Sequence, residues 1–105
     1  MDGISAGVSG IGVSAQGIAL SANNVANLNS DGYRAKSVRQ QDLEQGGVRA
    51  SGISESQEPT NPGGSNVDLA TEAVNLDTRG ISYQADLKFL QAQQNILGVA
   101  LDMKA

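Results

Sequence analysis

Residues 67–103, VDLATEAVNLDTRGISYQADLKFLQAQQNILGVALDM, decide the fold of this chain. Their seam recurs alternately four and three positions apart: Leu69, Ala73, Leu76, Gly80, Tyr83, Leu87, Leu90, Gln94, Leu97, Leu101. Only Gly80 and Gln94 depart from apolar or aromatic character. A repeat averaging about 3.5 residues holds a narrow stripe on one side of a helix over many turns, which suits a coiled-coil contact. A helix over 67–103 would be roughly 55 Å long, more than a compact 105-residue globule covers. Val74, Ile81, Phe89, Ile96 and Val99 lie off the seam and widen it, which points to more than one neighbour, as in a bundle or tube. Ser65 or Asn66 is placed to cap the helix, and Asp68 and Glu72 fall in its first two turns, where the helix dipole favours negative charge.

A second seam of the same spacing opens the chain: Ile4, Val8, Ile11, Ala15, Ile18, Ala22, Val25. It predicts a helix from about Gly3 to Leu28. Gly7, Gly10, Gly12 and Gly17 lie inside it, each weakening an isolated helix by about 1 kcal/mol relative to Ala. Such small residues permit close approach of a neighbouring backbone, so the segment is expected to order by packing. Beyond the seam, Asn23, Asn24, Asn27, Asn29 and Ser30 favour side-chain to backbone bonds, and Asp31-Gly32 reads as a tight turn followed by Tyr33.

Between the helices there is little to build from. Residues 34–43 alternate weakly, leaving room for a short extended segment, and EQGGVRASGISESQEPTNPGGSN (44–66) holds two Pro and only Val48 and Ile53 as large apolar residues, the composition of a linker. The expected fold is therefore mainly α: two long terminal helices in a coiled-coil hairpin or bundle, joined by a Gly/Pro/Ser-rich loop with little or no β structure. The organisation is one structural unit, with an N-terminal helix over 1–28, turn and linker over 29–66, and a C-terminal helix over 67–105.

Composition narrows the function. One Phe, two Tyr and no Trp give a thin core, so an isolated monomer is marginal. With no His and no Cys the chain lacks an ordinary zinc site, a thiol nucleophile, a disulfide frame and an imidazole base. Asp68, Glu72, Asp77 and Asp86 read as capping and solubilising carboxylates on an exposed face, with no partner base beside them. No enzyme, cofactor or metal is expected. Arg34, Lys36, Arg39 and Arg49 are interspersed with Asp31, Asp42, Glu44, Glu55 and Glu58, and the net charge is −4, which opposes nucleic-acid binding. No apolar run approaches the ~20 residues of a membrane span, and Asp2 stands where a secretory signal has a basic region, so neither membrane insertion nor a cleaved signal is expected.

The segment GIALSANNVANLNSDGYRAK (17–36) resembles the N-terminal signature of bacterial flagellar axial proteins, the rod and hook family, in which a small-residue helix runs into an Asn-Ala-Asn-rich stretch and a Gly-Tyr-Lys/Arg turn. SNVDLATEAVNLDTRGISYQADLKFLQAQQNILGVALDMKA (65–105) resembles the matching C-terminal signature. The short middle fits a proximal basal-body rod protein better than a hook protein. The resemblance implies that the terminal helices pair and that many copies stack into a hollow axial tube, with the flagellar export apparatus and other axial proteins as partners and the periplasmic rod as location. Carried over, Ile4, Val8, Ile11, Ile18, Val25, Leu69, Leu76, Tyr83, Leu87, Leu90, Leu97 and Leu101 would form the assembly interface, with Asn23, Asn24, Asn27, Gly32 and Tyr33 at the elbow leading outward. The seams alone also permit a closed helical homo-oligomer acting as an adaptor or export-associated binding protein.

Overall fold

A computed structural model describes residues 3–104; Met1, Asp2 and Ala105 lie outside it. Helix α1 (Gly3–Ala26) is followed by strands β1 (Lys36–Asp42) and β2 (Val48–Glu55) and by helix α2 (Leu69–Lys104). The helices run antiparallel, since successive approaches bring Gly3 to Gln93, Gly10 to Asp86, Gly17 to Arg79 and Asn24 to Glu72. The molecule is a rod of 67 × 23 × 14 Å with a radius of gyration of 17.9 Å. A compact domain of this length would have about 13 Å. At 36 residues α2 is half as long again as the 24-residue α1, so its last turns project beyond the partner helix.

The expectation of little or no β structure is wrong. β1 and β2 form an antiparallel hairpin in which Val38 pairs with Ile53 and Gln40 with Ala50, with a bulge at Arg39/Gln40. Its turn is closed by Leu43 N–H to the Gly47 carbonyl (3.0 Å), and Gly46 and Gly47 both have positive φ, +91° and +89°. The strands lie along the flank of α1. Val38 and Val13 are buried, and Val48 N–H donates to Ser9 Oγ at 3.1 Å. Strand propensity in KSVRQQD and VRASGISE is weak because Val38, Val48 and Ile53 are their β-branched residues among many polar ones, and Val38 is the single buried side chain of the hairpin. What holds it is the backbone ladder and the helix beneath, both tertiary contributions invisible to a local pattern.

The helix ends also differ in detail. α1 stops at Ala26, two residues short of the expected Leu28, and Asn27 to Ser30 continue as turns. The cap of α2 is Asp68, whose Oδ1 accepts from Ala70 N–H (3.0 Å) and Thr71 N–H (3.4 Å). Ser65, expected as a cap, is instead buried, its hydroxyl donating to the Leu28 carbonyl at 2.7 Å and accepting from Val67 N–H at 3.1 Å. By length and composition α1 is apolar enough to cross a bilayer, so the sequence-based dismissal of any such run was too strong. Core helices pass the same test.

Candidate functional site

Two arrangements stand out: the contact between the helices, and the elbow at its end.

The helix contact is made by small residues of α1 and long ones of α2. Gly7, Ser14, Gly17, Ser21 and Asn24 are buried along one face of α1. With the half-buried Gly10 included, this stripe keeps the three-and-four spacing of the apolar seam but is turned from it by one residue, about 100°. Ile4, Ile11, Ile18 and Val25 are consequently only half-buried at its side, while Val8, Ala15 and Ala22 are exposed. On α2 the inward positions are Glu72, Leu76, Arg79, Tyr83, Asp86, Leu90 and Gln93. The predicted seam shares Leu76, Tyr83 and Leu90 with this face. Leu69 and Leu101 are more than half exposed, Leu87 lies at the edge of the contact at 37 % exposed, and Leu97 follows the inward face past the end of α1, where it is 51 % exposed.

Glycine lets the polar members of this face lie flat on α1. A methyl group on Gly10 would sit 2.5 Å from Asp86 Oδ2, and one on Gly17 would sit 2.8 Å from Arg79 Nε. Arg79 reaches past α1 to donate to Gln40 Oε1 at 3.1 Å, fastening the hairpin to both helices. Among the described residues the buried large apolar side chains are Val13, Val38 and Val67, whereas Leu69, Val74, Ile81, Phe89, Ile96, Leu97, Val99, Leu101 and Met103 are exposed. Most of the large apolar surface of α2 faces outward.

At the elbow the Asn-rich segment meets the start of α2. Asn24 is 1 % exposed and Glu72 4 %. Asn24 Nδ2 donates to the Lys36 carbonyl (2.8 Å) and to both Glu72 oxygens (3.0 and 3.1 Å), while its Oδ1 accepts from the Tyr33 hydroxyl and from Lys36 N–H, each at 2.9 Å. The side-chain amide thus uses both its donor and acceptor ends on four groups. Asn23 Nδ2 donates to the Tyr33 hydroxyl at 3.3 Å, and the Lys36 ammonium lies 4.6 Å from the centroid of the Tyr33 ring. Asn27 Nδ2 donates back to the Asn23 carbonyl at 2.9 Å, and its Oδ1 accepts from Ser30 Oγ at 3.0 Å. Gly32, with φ +74°, occupies the turn closed by Tyr33 N–H to the Ser30 carbonyl (3.1 Å), and its own N–H donates to Gly64. Tyr33 therefore meets the Asn24 amide directly and Asn23 meets it through the Tyr33 hydroxyl, whereas Asn27 and Gly32 shape the turn beside it.

Glu72 is the residue that sequence reasoning missed. Read as an exposed carboxylate, it is instead buried against Asn24, and Asp86 lies half-buried over Gly10. Their signal was present: Glu72, Arg79, Asp86 and Gln93 recur at seven-residue intervals, opposite Gly3, Gly10, Gly17 and Asn24 at the same interval on α1.

Beside the elbow is a polar cleft of about 430 Å³ lined in part by Lys36, Ser54, Glu58, Asp68, Thr71 and Glu72. Among the described residues no group of three or more His, Cys, Asp or Glu is placed to hold a metal ion. The cleft combines capping and network groups already bonded within the chain. No family model and no curated protein matches this sequence.

Proposed function

We propose that this chain is a structural subunit of the bacterial flagellar basal-body rod, self-assembling through its terminal helices into a helical axial tube that transmits torque. The observation carrying the reading is the distribution of apolar side chains on a 67 Å rod: α1 turns its small residues to the helix contact, while Leu69, Val74, Ile81, Ile96, Leu97, Val99 and Leu101 of α2 stay more than half exposed. Ile81 and Ile96 are 61 % and 64 % exposed. A run of exposed large apolar side chains along one helix marks a contact surface, here read as one for protein. The two terminal signatures supply the flagellar part of the reading, and the paired termini with an elbow between them suit it. Its partners are then further copies and other axial proteins, reached through the export apparatus, in the periplasmic rod. The role is mechanical, with no catalysis or cofactor.

Two measurements test this. Mass-resolved size-exclusion chromatography with far-UV circular dichroism over a wide concentration range should show helix gained as open-ended or polydisperse assemblies form. A helical species of one fixed mass at every concentration would favour the closed adaptor oligomer instead. Basal bodies purified from a bacterium carrying the gene should contain the chain, and its absence from them would remove the flagellar assignment.

A further inference from the structure

The contact between α1 and α2 repeats itself along its length. On α1 the inward positions are Gly3, Gly10 and Gly17 in one heptad phase and Gly7, Ser14 and Ser21 in the other. On α2 they are Arg79, Asp86 and Gln93 in one phase and Leu76, Tyr83 and Leu90 in the other, with the exposed Leu97 continuing the second phase. Moving α1 by one heptad, about 10.5 Å, toward the C-terminal end of α2 would again set glycines beneath Asp86 and Gln93 and serines beside Tyr83 and Leu90. It would also cover apolar surface. The groove of about 240 Å³ formed by Gly3, Ile4, Gln93, Ile96, Leu97 and Ala100 lies where α1 begins and α2 continues, and Ile96 and Leu97 there are 64 % and 51 % exposed. The repeating helix–helix contact therefore does not by itself choose the observed register.

One position breaks the repeat. The glycine phase ends in Asn24, and its partner is Glu72, where a one-heptad slide would bring it to Arg79. Asn24 in the slid register would face a guanidinium with the donor end of its amide, and Glu72 would lose both of its bonds from Nδ2. The slide would also take Arg79 from Gln40, but Asp86 would arrive opposite Gly17 in its place, so that contact is exchanged between repeats. Ser65 to Leu28, Gly32 to Gly64 and Asn66 to Ala35 tie the elbow to the segment before α2, and the three residues from Asn66 to Leu69 span at most about 10 Å, so the slide requires residues 67–68 to re-extend and expose Val67. Buried polar pairs fix register in helix pairs for this reason: their loss costs more than an apolar mismatch.

We propose that Asn24 and Glu72 form a register lock, selecting one of two heptad-related alignments of α1 on α2 and thereby holding the Ile96–Leu97 groove open. The inference stands on the helix contact alone and does not depend on the flagellar reading.

The chain has no cysteine, so spin labels can be placed cleanly at Ala19→Cys and Gln94→Cys, both exposed sites on opposite helices. Their axial offset is about 25 Å in the observed register and about 15 Å after the slide. The full-length chain is measured at a concentration where circular dichroism shows both helices formed. Exchanging the charges, Glu72→Arg with Arg79→Glu, should move the lock by a heptad and shorten the label distance by about 10 Å. Removing it with the apolar pair Asn24→Leu and Glu72→Leu should leave a helical protein with two distances. An unchanged single distance in either helical variant would overturn the proposal. So would loss of helix in both variants, because the pair would then be needed for folding and not for choosing a register.

Discussion

Asn24 and Glu72, 48 residues apart in the chain, are joined through one amide nitrogen that lies 3.0 and 3.1 Å from the two carboxylate oxygens. The same amide holds Tyr33 and both backbone groups of Lys36, so one side chain fastens the end of α1, the elbow turn, the start of β1 and the first turn of α2. Asn24→Ala removes the hydrogen-bonding partner of a buried carboxylate and of three other groups. Loss of about 3–5 kcal/mol is expected, because a buried charge and backbone groups are left unmatched. Urea unfolding followed by circular dichroism measures it. A change under 1 kcal/mol would show that water replaces the amide at little cost.

Two glycines of α1 separate propensity from packing. Nothing lies within 4 Å of a methyl group on Gly12, whereas one on Gly17 would meet Arg79 Nε at 2.8 Å. Gly12→Ala should stabilise the isolated chain by about 1 kcal/mol through helix propensity. Gly17→Ala gains the same propensity but must displace Arg79 and break its bond to Gln40, so its melting temperature should fall below that of Gly12→Ala. Differential scanning calorimetry of the pair decides the point, and equal effects would mean that Arg79 moves aside freely.

These contrasts show what was legible in the sequence. Both helices were readable because a period of about 3.5 residues survives over many turns. Which side of α1 meets α2 was not. The large residues Ile4, Val8, Ile11 and Ile18 carry the strongest hydrophobic signal, yet glycine and serine allow the closer approach and take the contact, leaving the larger side chains at its rim. The Asn23–Tyr33 segment was recognisable as a turn from its residue types, while its partner Glu72 looked like one more surface carboxylate. The hairpin was hidden because its ladder pairs polar residues and its burial depends on Val38 meeting α1. EQGG at 44–47 was the readable trace, since consecutive glycines with positive φ make its turn.

That turn is testable. Gly47 has φ +89°, and Gly47→Ala places a Cβ in left-handed backbone at a cost of about 1–2 kcal/mol. Beyond the Asn24 bonds at Lys36, the hairpin is held to the helices by one buried valine and by two bonds, Val48 to Ser9 and Arg79 to Gln40, so the strain should be felt locally. Amide exchange in residues 36–55 is expected to accelerate while the helices keep their protection. Uniform acceleration across the chain would show that hairpin and helices unfold as one unit.

Loss of the α2 cap gives a smaller, defined effect. Asp68 is exposed, and its Oδ1 accepts from two backbone N–H groups of the first turn. Asp68→Ala should cost about 1 kcal/mol and Asp68→Asn much less, because asparagine also caps. If the two variants lose equal stability in urea, charge at the helix N-terminus matters more than the cap bond.

Assembly is best probed where folding is not at stake. Leu87 is 37 % exposed, whereas Leu90 is half-buried with Cβ directed at Gly7, so the two seam leucines are not equivalent. Leu87→Asp puts a charge on the outward face and should leave the monomer helical while abolishing larger species. Leu90→Asp introduces its charge into the α1–α2 contact, and there both folding and assembly should fail. The exposed Gln57, in the segment between β2 and α2, gives the neutral control, and Gln57→Asp should assemble as the parent does. Analytical ultracentrifugation of the three variants reads the difference. Normal assembly by Leu87→Asp would place the contact on another face and remove the outward seam of α2 from the proposed tube wall.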